Sequence, residues 1–363
     1  MSRVVVGMSG GVDSSVTAAL LVKKGYEVIG ATMKVFPDYE QPVEEEGTCC
    51  SLKDIEDAKK VAQKLDIPHY TFNLKETFQN EVIDNFVKEY RRGRTPNPCV
   101  ICNNEVKFKA FLRKAKEIGA DYMASGHYAQ IIHNDNGRQL LKKAVDEDKD
   151  QTYMLYGLKQ YQLKNILMPL GEYTKYRVRE MALDFDLKVY NKKDSQEICF
   201  VPDNDYSRFL DENYPEIAEP GPIYDTEGNK LGEHQGLHHY TIGQRRGLGI
   251  SLQHPVYVVE IDSERNALIV GKDEEVFCKG LIANQVNWIS ISPPEKAIQI
   301  SGKIRYNAPA FPATVYPLDN ERVKVKFKEK QRAVTPGQSA VFYQDDLVLG
   351  GGIIQKRILK NNF

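Results

Sequence analysis

The sequence is short of tryptophan, with one in 363 residues, and short of cysteine, with six. So few cysteines in a chain of this length cannot staple a disulfide scaffold, which leaves metal binding, sulfur chemistry or core packing for each. No apolar run approaches the roughly 18 residues that a membrane span needs, so no transmembrane helix is expected. An excess of one charge sign is missing too: 49 basic and 50 acidic residues leave a formal charge of −1. That excludes a general polycation, and any nucleic acid must be held by local basic patches. The opening MSRVVVGM has neither the basic n-region nor the apolar h-region of a secretory leader. A cytoplasmic protein with reduced thiols is therefore expected.

What is present is a globular composition, 41% hydrophobic and 27% charged, long enough for two or three domains. The first 200 residues alternate strand-like and helix-like segments. VVVGM (4–8), EVIGATMKV (27–35), HYTFNL and DYMASGHYAQII read as strands. Helices are expected over about 14–24, from a Ser51-to-Asp54 capping box with Ile55, Ala58, Val61, Ala62 and Leu65 on one face, over 76–90, 104–118, 151–158 and 174–185. This alternation predicts an α/β domain, a doubly wound parallel sheet with helices on both faces. After about residue 205 the texture becomes short alternating strands between turn signals: HPVYVVEI, ALIVG, RVKVKF and SAVFYQ. We therefore expect domains at 1–205, 206–275 and 276–363, the last two β-rich and the last a β-barrel.

The sharpest motif is GMSGGVDSS, residues 7–15, between a strand and a helix. Gly10 and Gly11 let a phosphate approach the backbone, and the helix start adds N–H groups and the positive end of its dipole. Ser9, Ser14 and Ser15 offer hydroxyls, and Asp13 offers a carboxylate for Mg2+. No Gly-Lys-Ser/Thr follows, so this is not the ordinary P-loop. SGGVDS resembles the pyrophosphate-binding loop of the ATP pyrophosphatase group. That resemblance implies ATP cleaved to AMP through an adenylated intermediate.

A second motif, TPNPCVICNNEVKF (95–108), holds Cys99 and Cys102 at a spacing that suits metal binding, electron shuttling or carriage of a reacting atom. Cys102 lies near a helix start, with Arg94 and Lys107 close in sequence, and both features favour the thiolate. Cys49 and Cys50 read as ordinary thiols and Cys278 as core. Lys88, Arg91, Arg92 and Arg94 form a basic run just upstream. In KVKFKEKQR, period two puts Lys324, Lys326, Lys328 and Lys330 on one strand face, either a solvated face or a phosphate-binding stripe.

TPNPCVICNNEVKFKAFL, SGHYA (125–129), KDQTYML (149–155), DSQEICF (194–200) and TIGQRRGLGI (241–250) together resemble the bacterial tRNA-specific 2-thiouridylase family. The resemblance runs from residue 3 to the C-terminal strands. It implies replacement of the C2 oxygen of the wobble uridine in glutamate, glutamine and lysine tRNAs by sulfur. It implies ATP at Gly7, Met8, Ser9, Gly10, Gly11, Val12, Asp13, Ser14, Met33 and Gly126. It makes Cys102 the nucleophile at the tRNA site and Cys199 the persulfide carrier, the two closing a disulfide as sulfur is handed over. It places tRNA at Asn97, Pro98, Cys99, His127, Lys149, Asp150, Gln151, Arg305, Tyr306 and Gln338. A cysteine desulfurase or a sulfur-relay protein is the implied donor. Many members carry aspartate where this chain has Cys99, which leaves two routes open. Cys99, Cys102 and Cys199 can hold a [4Fe–4S] cluster with one open iron, or Cys102 and Cys199 can relay a persulfide without metal. Two rivals remain: a tRNA lysidine synthase or amide-forming synthetase, which needs neither Cys102 nor Cys199, and a non-enzymatic metal-containing tRNA-binding module.

Overall fold

A computed structural model of the chain describes residues 1–36, 52–133, 137–192, 198–201, 203–319 and 321–359. Ser51 of the expected capping box, Cys49 and Cys50 lie outside the described residues. The chain forms two compact units: Met1–Val82 with Cys99–Asn204 and Asp346–Val348, and Ile83–Pro98 with Asp205–Asp345 and Leu349–Phe363. Among the described residues no helix is long and apolar enough to cross a membrane.

The first unit is built on a parallel sheet. Its strands are β1 (Arg3–Gly7), β2 (Glu27–Lys34), β3 (His69–Asn73), β4 (Tyr122–Ala124) and the short Ile166–Leu167, in the order β3-β2-β1-β4-Ile166–Leu167. Every pairing in it is parallel, with Val5 opposite Ile29 on one side and Met123 on the other. Val4, Val5 and Val6 are fully buried, as a central strand covered on both faces requires. Helix α1 (Val12–Lys23) returns the chain from β1 and buries Val16, Ala18, Ala19, Leu20 and Leu21. On helix α2 (Leu52–Lys64) the expected face is buried at Ile55, Ala58, Val61 and Ala62, with Leu65 packed partly against the same core. The doubly wound α/β fold is thus present. After β1 the chain turns to β2 and β3 on one side, then to β4 on the other, so the order reverses between β1 and β4. Ligands of such sheets bind in the crevice this reversal opens at the carboxyl ends of the strands.

Several local expectations change. DYMASGHYAQII is two strands, Tyr122–Ala124 and Gln130–His133, broken by a loop. The 151–158 segment holds only a 3-10 turn at Thr152–Met154, because the N–H groups of Met154, Leu155 and Leu158 bond to carbonyls three residues back instead of four. The helix expected from 104 begins six residues earlier. Pro98 starts it, as suits a residue with no N–H to leave unpaired, and it runs Pro98–Ile101, then π-helical over Cys102–Ala110, then α-helical over Phe111–Glu117. Cys102 is therefore inside the helix at the α-to-π transition, not ahead of it.

The second unit is β-rich. A four-stranded sheet in the order Tyr257–Asp262, Ala267–Gly271, Gly221–Asp225, Lys230–His234 covers a core of Ile223, Val258, Leu268, Val270 and Val276. Six further strands close a β-barrel: Phe277–Trp288, Val323–Arg332, Phe311–Pro317, Ile298–Lys303, Ser339–Gln344 and Leu347–Ile358, the last pairing back onto the first. The expected alternation holds where Val323, Val325 and Phe327 are buried and Lys324 and Lys326 lie half-buried between them. It fails beyond Phe327. An irregularity opposite Cys278–Gly280 leaves Lys328, Glu329 and Lys330 all exposed, so the four lysines do not share one regular face. Cys278 is core as expected, 1% exposed, and burial pushes its thiol up.

Leu281, fully buried in the barrel, is a direct probe of this packing. Leu281→Ala should cost about 2–5 kcal/mol. The single tryptophan, Trp288, ends the same strand, so its fluorescence during urea unfolding should show the barrel transition move to lower urea. An unchanged midpoint would contradict the burial.

Candidate functional site

The phosphate loop spans Met8–Gly11, between β1 and α1. Met8 is anchored on both sides of its peptide: its N–H donates to the Ala31 carbonyl (2.8 Å) and its own carbonyl accepts from Thr32 Oγ1 (2.8 Å). Gly10 has φ +71°, and a Cβ there would fall 2.3 Å from the Asp54 carbonyl oxygen, so only glycine fits. Gly11 caps α1 in an extended conformation with no side-chain hydrogen bond to the helix. The serines organise the loop internally. Ser9 N–H donates to Ser14 Oγ (3.2 Å), while the Ser14 and Ser15 hydroxyls donate to the Gly11 carbonyl (3.1 and 2.8 Å). The resulting cradle sits at the positive end of a twelve-residue helix, the arrangement that binds phosphate.

Three side chains that sequence reasoning did not single out hold this cradle. Lys175 Nζ donates to both Asp13 carboxylate oxygens (2.8 and 2.7 Å), and Tyr128 OH donates to Asp13 Oδ1 (2.8 Å). Lys192 Nζ donates to the Gly10 carbonyl (3.2 Å), Asp54 Oδ1 (2.7 Å) and Asp57 Oδ2 (2.8 Å). Burial works against the Lys192 charge, but the bonds to Asp54 and Asp57 outweigh it and hold its pKa above the ordinary value. One signal of Lys175 was in the sequence. It opens the helix Lys175–Asp184 behind the N-cap Thr174, and a cation in a first turn opposes the helix dipole unless an anion compensates it. A Mg2+ ion at Asp13 would have to compete with the Lys175 ammonium that already pairs with both of its oxygens.

Gly126, on the loop after β4, closes the crevice from the other side. A Cβ there would lie 2.9 Å from the Asp13 carbonyl carbon and 2.9 Å from the Ser14 nitrogen, so β4's loop touches the first turn of α1. Met33 is half-buried near the end of β2, in register with Phe72. The ATP set expected from the sequence, Gly7 to Ser14 with Met33 and Gly126, thus lies along one edge of one sheet. His127 follows Gly126. Its Nδ1 is 3.0 Å from Ser125 Oγ and its ring packs 5.2 Å from Phe108. Burial, then the nearby Lys107 charge, push it well below the usual range, so it is neutral at pH 7.

Cys99 is exposed, and Cys102 and Cys199 are half-buried. Val100, between the first two, and Asn103, just after Cys102, are each 3% exposed. Cys199 lies in a turn whose next residue, Phe200, packs edge-on to Phe78 at 5.9 Å. The helix ending at Phe78 packs in turn against the stretch that starts at Cys102. Among the described residues these three thiols do not form a group with all ligand atoms within 4.8 Å of one another.

The remaining expected residues divide between the units. In the first, Lys149 is half-buried, and Asp150 is spent internally: it accepts from Ala144 N–H (3.1 Å) and from Thr152 Oγ1 (2.7 Å). Gln151 Oε1 accepts from Tyr128 N–H at 2.9 Å, which ties this loop to the one carrying Gly126 and His127. In the second, Gln338 Nε2 donates to the carbonyls of Thr95 (2.9 Å) and Pro96 (3.2 Å) and so shapes the segment leading into Asn97 and Pro98. Arg305 is exposed on the loop after Ile298–Lys303, and Lys303 Nζ lies 5.5 Å from the centre of the neighbouring Tyr306 ring. In the basic run, Lys88 is exposed, while Arg91 pairs with Glu216 and both Arg92 and Arg94 pair with Glu89. Such surface pairs are worth at most about 1 kcal/mol and exchange readily for phosphate.

Three family models match the chain: a tRNA methyl transferase HUP domain over residues 2–203, a tRNA methyl transferase PRC-barrel domain over 207–272, and an aminomethyltransferase beta-barrel domain over 278–354. The chain is similar to the tRNA-specific 2-thiouridylase of Halothermothrix orenii, 65% identical over 356 residues that cover 98% of this chain and 99% of that one. It is 54% identical to the protein of the same name from Acetivibrio thermocellus, over 97% of this chain and 99% of the relative. Against the one from Clostridium perfringens it is 53% identical, over 97% and 98%.

The crevice geometry has a direct consequence at Gly126. Gly126→Ala should weaken ATP binding at least about tenfold, because its methyl group must displace the first turn of α1. Isothermal titration with ATP measures this, and barrel unfolding followed at Trp288 should not change. Wild-type ATP affinity in the variant would contradict the close approach.

Proposed function

The chain belongs to the tRNA-specific 2-thiouridylase family, and from that premise we propose that it uses ATP to replace the C2 oxygen of the wobble uridine with sulfur in glutamate, glutamine and lysine tRNAs. The observation that carries this reading is the crevice itself: a glycine-lined cradle at the start of α1, faced by Gly126, in the same unit as three cysteines. A carbonyl oxygen is a poor leaving group, and ATP mends that. The uridine C2 oxygen attacks the α-phosphorus, forming a C2–O–P bond and expelling pyrophosphate. The cradle of Ser9, Gly10, Gly11 and Ser14 takes the departing pyrophosphate, and Met33 and Gly126 line the nucleoside.

Sulfur follows. A persulfide on Cys199, supplied by a cysteine desulfurase or a relay protein, attacks C2 through its terminal sulfur, and AMP leaves. The Cys102 thiolate then attacks the Cys199 sulfur, breaking the S–S bond and leaving the electron pair on the sulfur attached to C2. The products are 2-thiouridine and a Cys102–Cys199 disulfide, which an external thiol reduces for the next turnover. Cys99, more exposed than the other two, is not needed in this relay. The domain models carry the words methyl transferase, but a phosphate cradle has no task in a simple methyl transfer, whereas adenylation requires one.

Residues 1–205 carry the chemistry, and 206–275 and 276–363 hold the tRNA in the cytoplasm. Arg305 and Tyr306 on the barrel and Lys149 on the first unit meet backbone and base, along with the arginines of 91–94. His127, neutral and beside the cradle, contacts the flipped uridine, which must leave its stack for C2 to be reached. By the same family reading, Asn97, Pro98 and Cys99 contact the tRNA. Asp150, Gln151 and Gln338 act by shaping the loops on which these groups stand.

Cys199→Ser should cut thiolation below about 1% of wild type, as loss of a covalent carrier does, while tRNA-dependent pyrophosphate release continues. The readout is 2-thiouridine by mass spectrometry after nuclease digestion, with iron and acid-labile sulfide measured on anaerobically purified protein. Full thiolation by the variant would overturn the carrier role. A stoichiometric cluster lost in Cys99→Ser would replace the relay with delivery from an open iron.

A further inference from the structure

The helix Tyr206–Asn213 and the 3-10 turn Leu237–His239, both in the second unit, bring three ligand-type side chains to one point. Asp211 Oδ1 lies 2.8 Å from His238 Nε2 and 3.5 Å from His239 Nε2. The two imidazole rings are 4.1 Å apart and tilted by 39°. One ligand atom from each residue lies within 4.8 Å of the other two, and this is the one such triplet of His, Cys, Asp or Glu among the described residues. The cluster plays no part in the adenylation or sulfur steps above.

A plain ion pair accounts for the arrangement poorly. One carboxylate oxygen faces the Nε2 atoms of both rings, and a single hydrogen bond to His238 leaves the placement of His239 unexplained. His238 is 1% exposed, and its Nδ1 has no hydrogen-bond partner, so nothing on that side of the ring fixes its tautomer. A Cβ on Gly236 would lie 2.9 Å from the same Nδ1 and 2.6 Å from Cε1, so the ring is wedged in place by a residue that only glycine can fill. Its other nitrogen, Nε2, is thereby aimed at Asp211. Two fixed imidazole nitrogens and a carboxylate oxygen form a donor set suited to a divalent transition metal, above all Zn2+.

We propose that Asp211, His238 and His239 bind one Zn2+-type ion, through Asp211 oxygen and the Nε2 atoms of both histidines, with water completing the tetrahedron. On binding, the proton that His238 shares with Asp211 through Nε2 moves to Nδ1, and nothing is oxidised or reduced. The ion ties the helix carrying Asp211 to the turn that leads directly into Tyr240 and Thr241. Thr241 Oγ1 is 3.1 Å from Thr95 Oγ1, and Thr95 opens the Pro96-Asn97-Pro98 segment ahead of Cys99. The site is thus a structural clip at the root of that segment, and it stands whether or not the thiolation reading does.

The full-length protein, stripped with a chelator and desalted, is titrated with Co2+ and then Zn2+, alongside His239→Ala and Asp211→Asn. Because Cys99, Cys102 and Cys199 also have metal affinity, the decisive quantity is the difference between wild type and variants. Wild type should take up one equivalent more than either variant. That extra Co2+ should show d–d bands without thiolate-to-metal charge transfer, and Zn2+ should displace it. His239 is half-exposed, so His239→Ala retains the fold, which circular dichroism checks; should Asp211→Asn unfold, His239→Ala alone decides. Equal uptake and equal spectra in wild type and His239→Ala would overturn the proposal.

Discussion

The phosphate loop of the first unit depends on one charge pairing, the Lys175 ammonium held against both oxygens of Asp13. Asp13 lies in the first turn of α1, where a carboxylate is favoured by the helix dipole and a phosphate is favoured by the same field. Left bare, that carboxylate would repel the phosphate the turn is shaped to receive. Lys175, brought from 162 residues away, removes the repulsion and leaves the positive end of α1 open to a phosphate. The Lys192 bonds to Gly10, Asp54 and Asp57 do the complementary work on the loop's far side, where Gly10 touches the Asp54 backbone. The cradle is thus tied by side-chain bonds on both sides of the loop.

Close approach governs the second boundary of the site. Because β4 lies beside β1 but across the reversal of strand order, its loop meets the first turn of α1 at Gly126. The same loop carries Tyr128, which bonds to Asp13, and receives Gln151 from the next segment. Residues that look like separate motifs along the chain, SGGVDS, SGHYA and KDQTYML, are one bonded network in space. That explains why Asp150 and Gln151 are spent on protein contacts instead of pointing outward.

The phosphate loop, the amphipathic face of α2, the parallel sheet and the barrel were all legible in the sequence, because each rests on a local pattern: glycines at a strand–helix junction, 3.6-residue spacing, or period-two alternation. Lys192 and Tyr128 were not, and Lys175 showed only as a cation at a helix start, since their partners are fixed only when the sheet assembles. The π-helical stretch at Cys102–Ala110 escaped for another reason: its sequence reads as ordinary helix, and the wider turn appears only in the hydrogen-bond spacing. The lysine strand failed at Glu329 because an irregularity in pairing with Cys278–Gly280 shifts the alternation, which no single strand's sequence can reveal. The His238–His239 pair went unremarked because its third member, Asp211, sits 27 residues earlier.

In the proposed reaction ATP is cleaved at its α-phosphorus to activate a uridine for sulfur. The most direct test is a single-turnover reaction with purified protein, unmodified tRNA, a persulfide donor and ATP labelled in the α-phosphate, following the nucleotide product and 2-thiouridine together. The expected result is one AMP for each 2-thiouridine, with no AMP when tRNA is omitted. ADP as the product, or AMP formed at the same rate without tRNA, would contradict it.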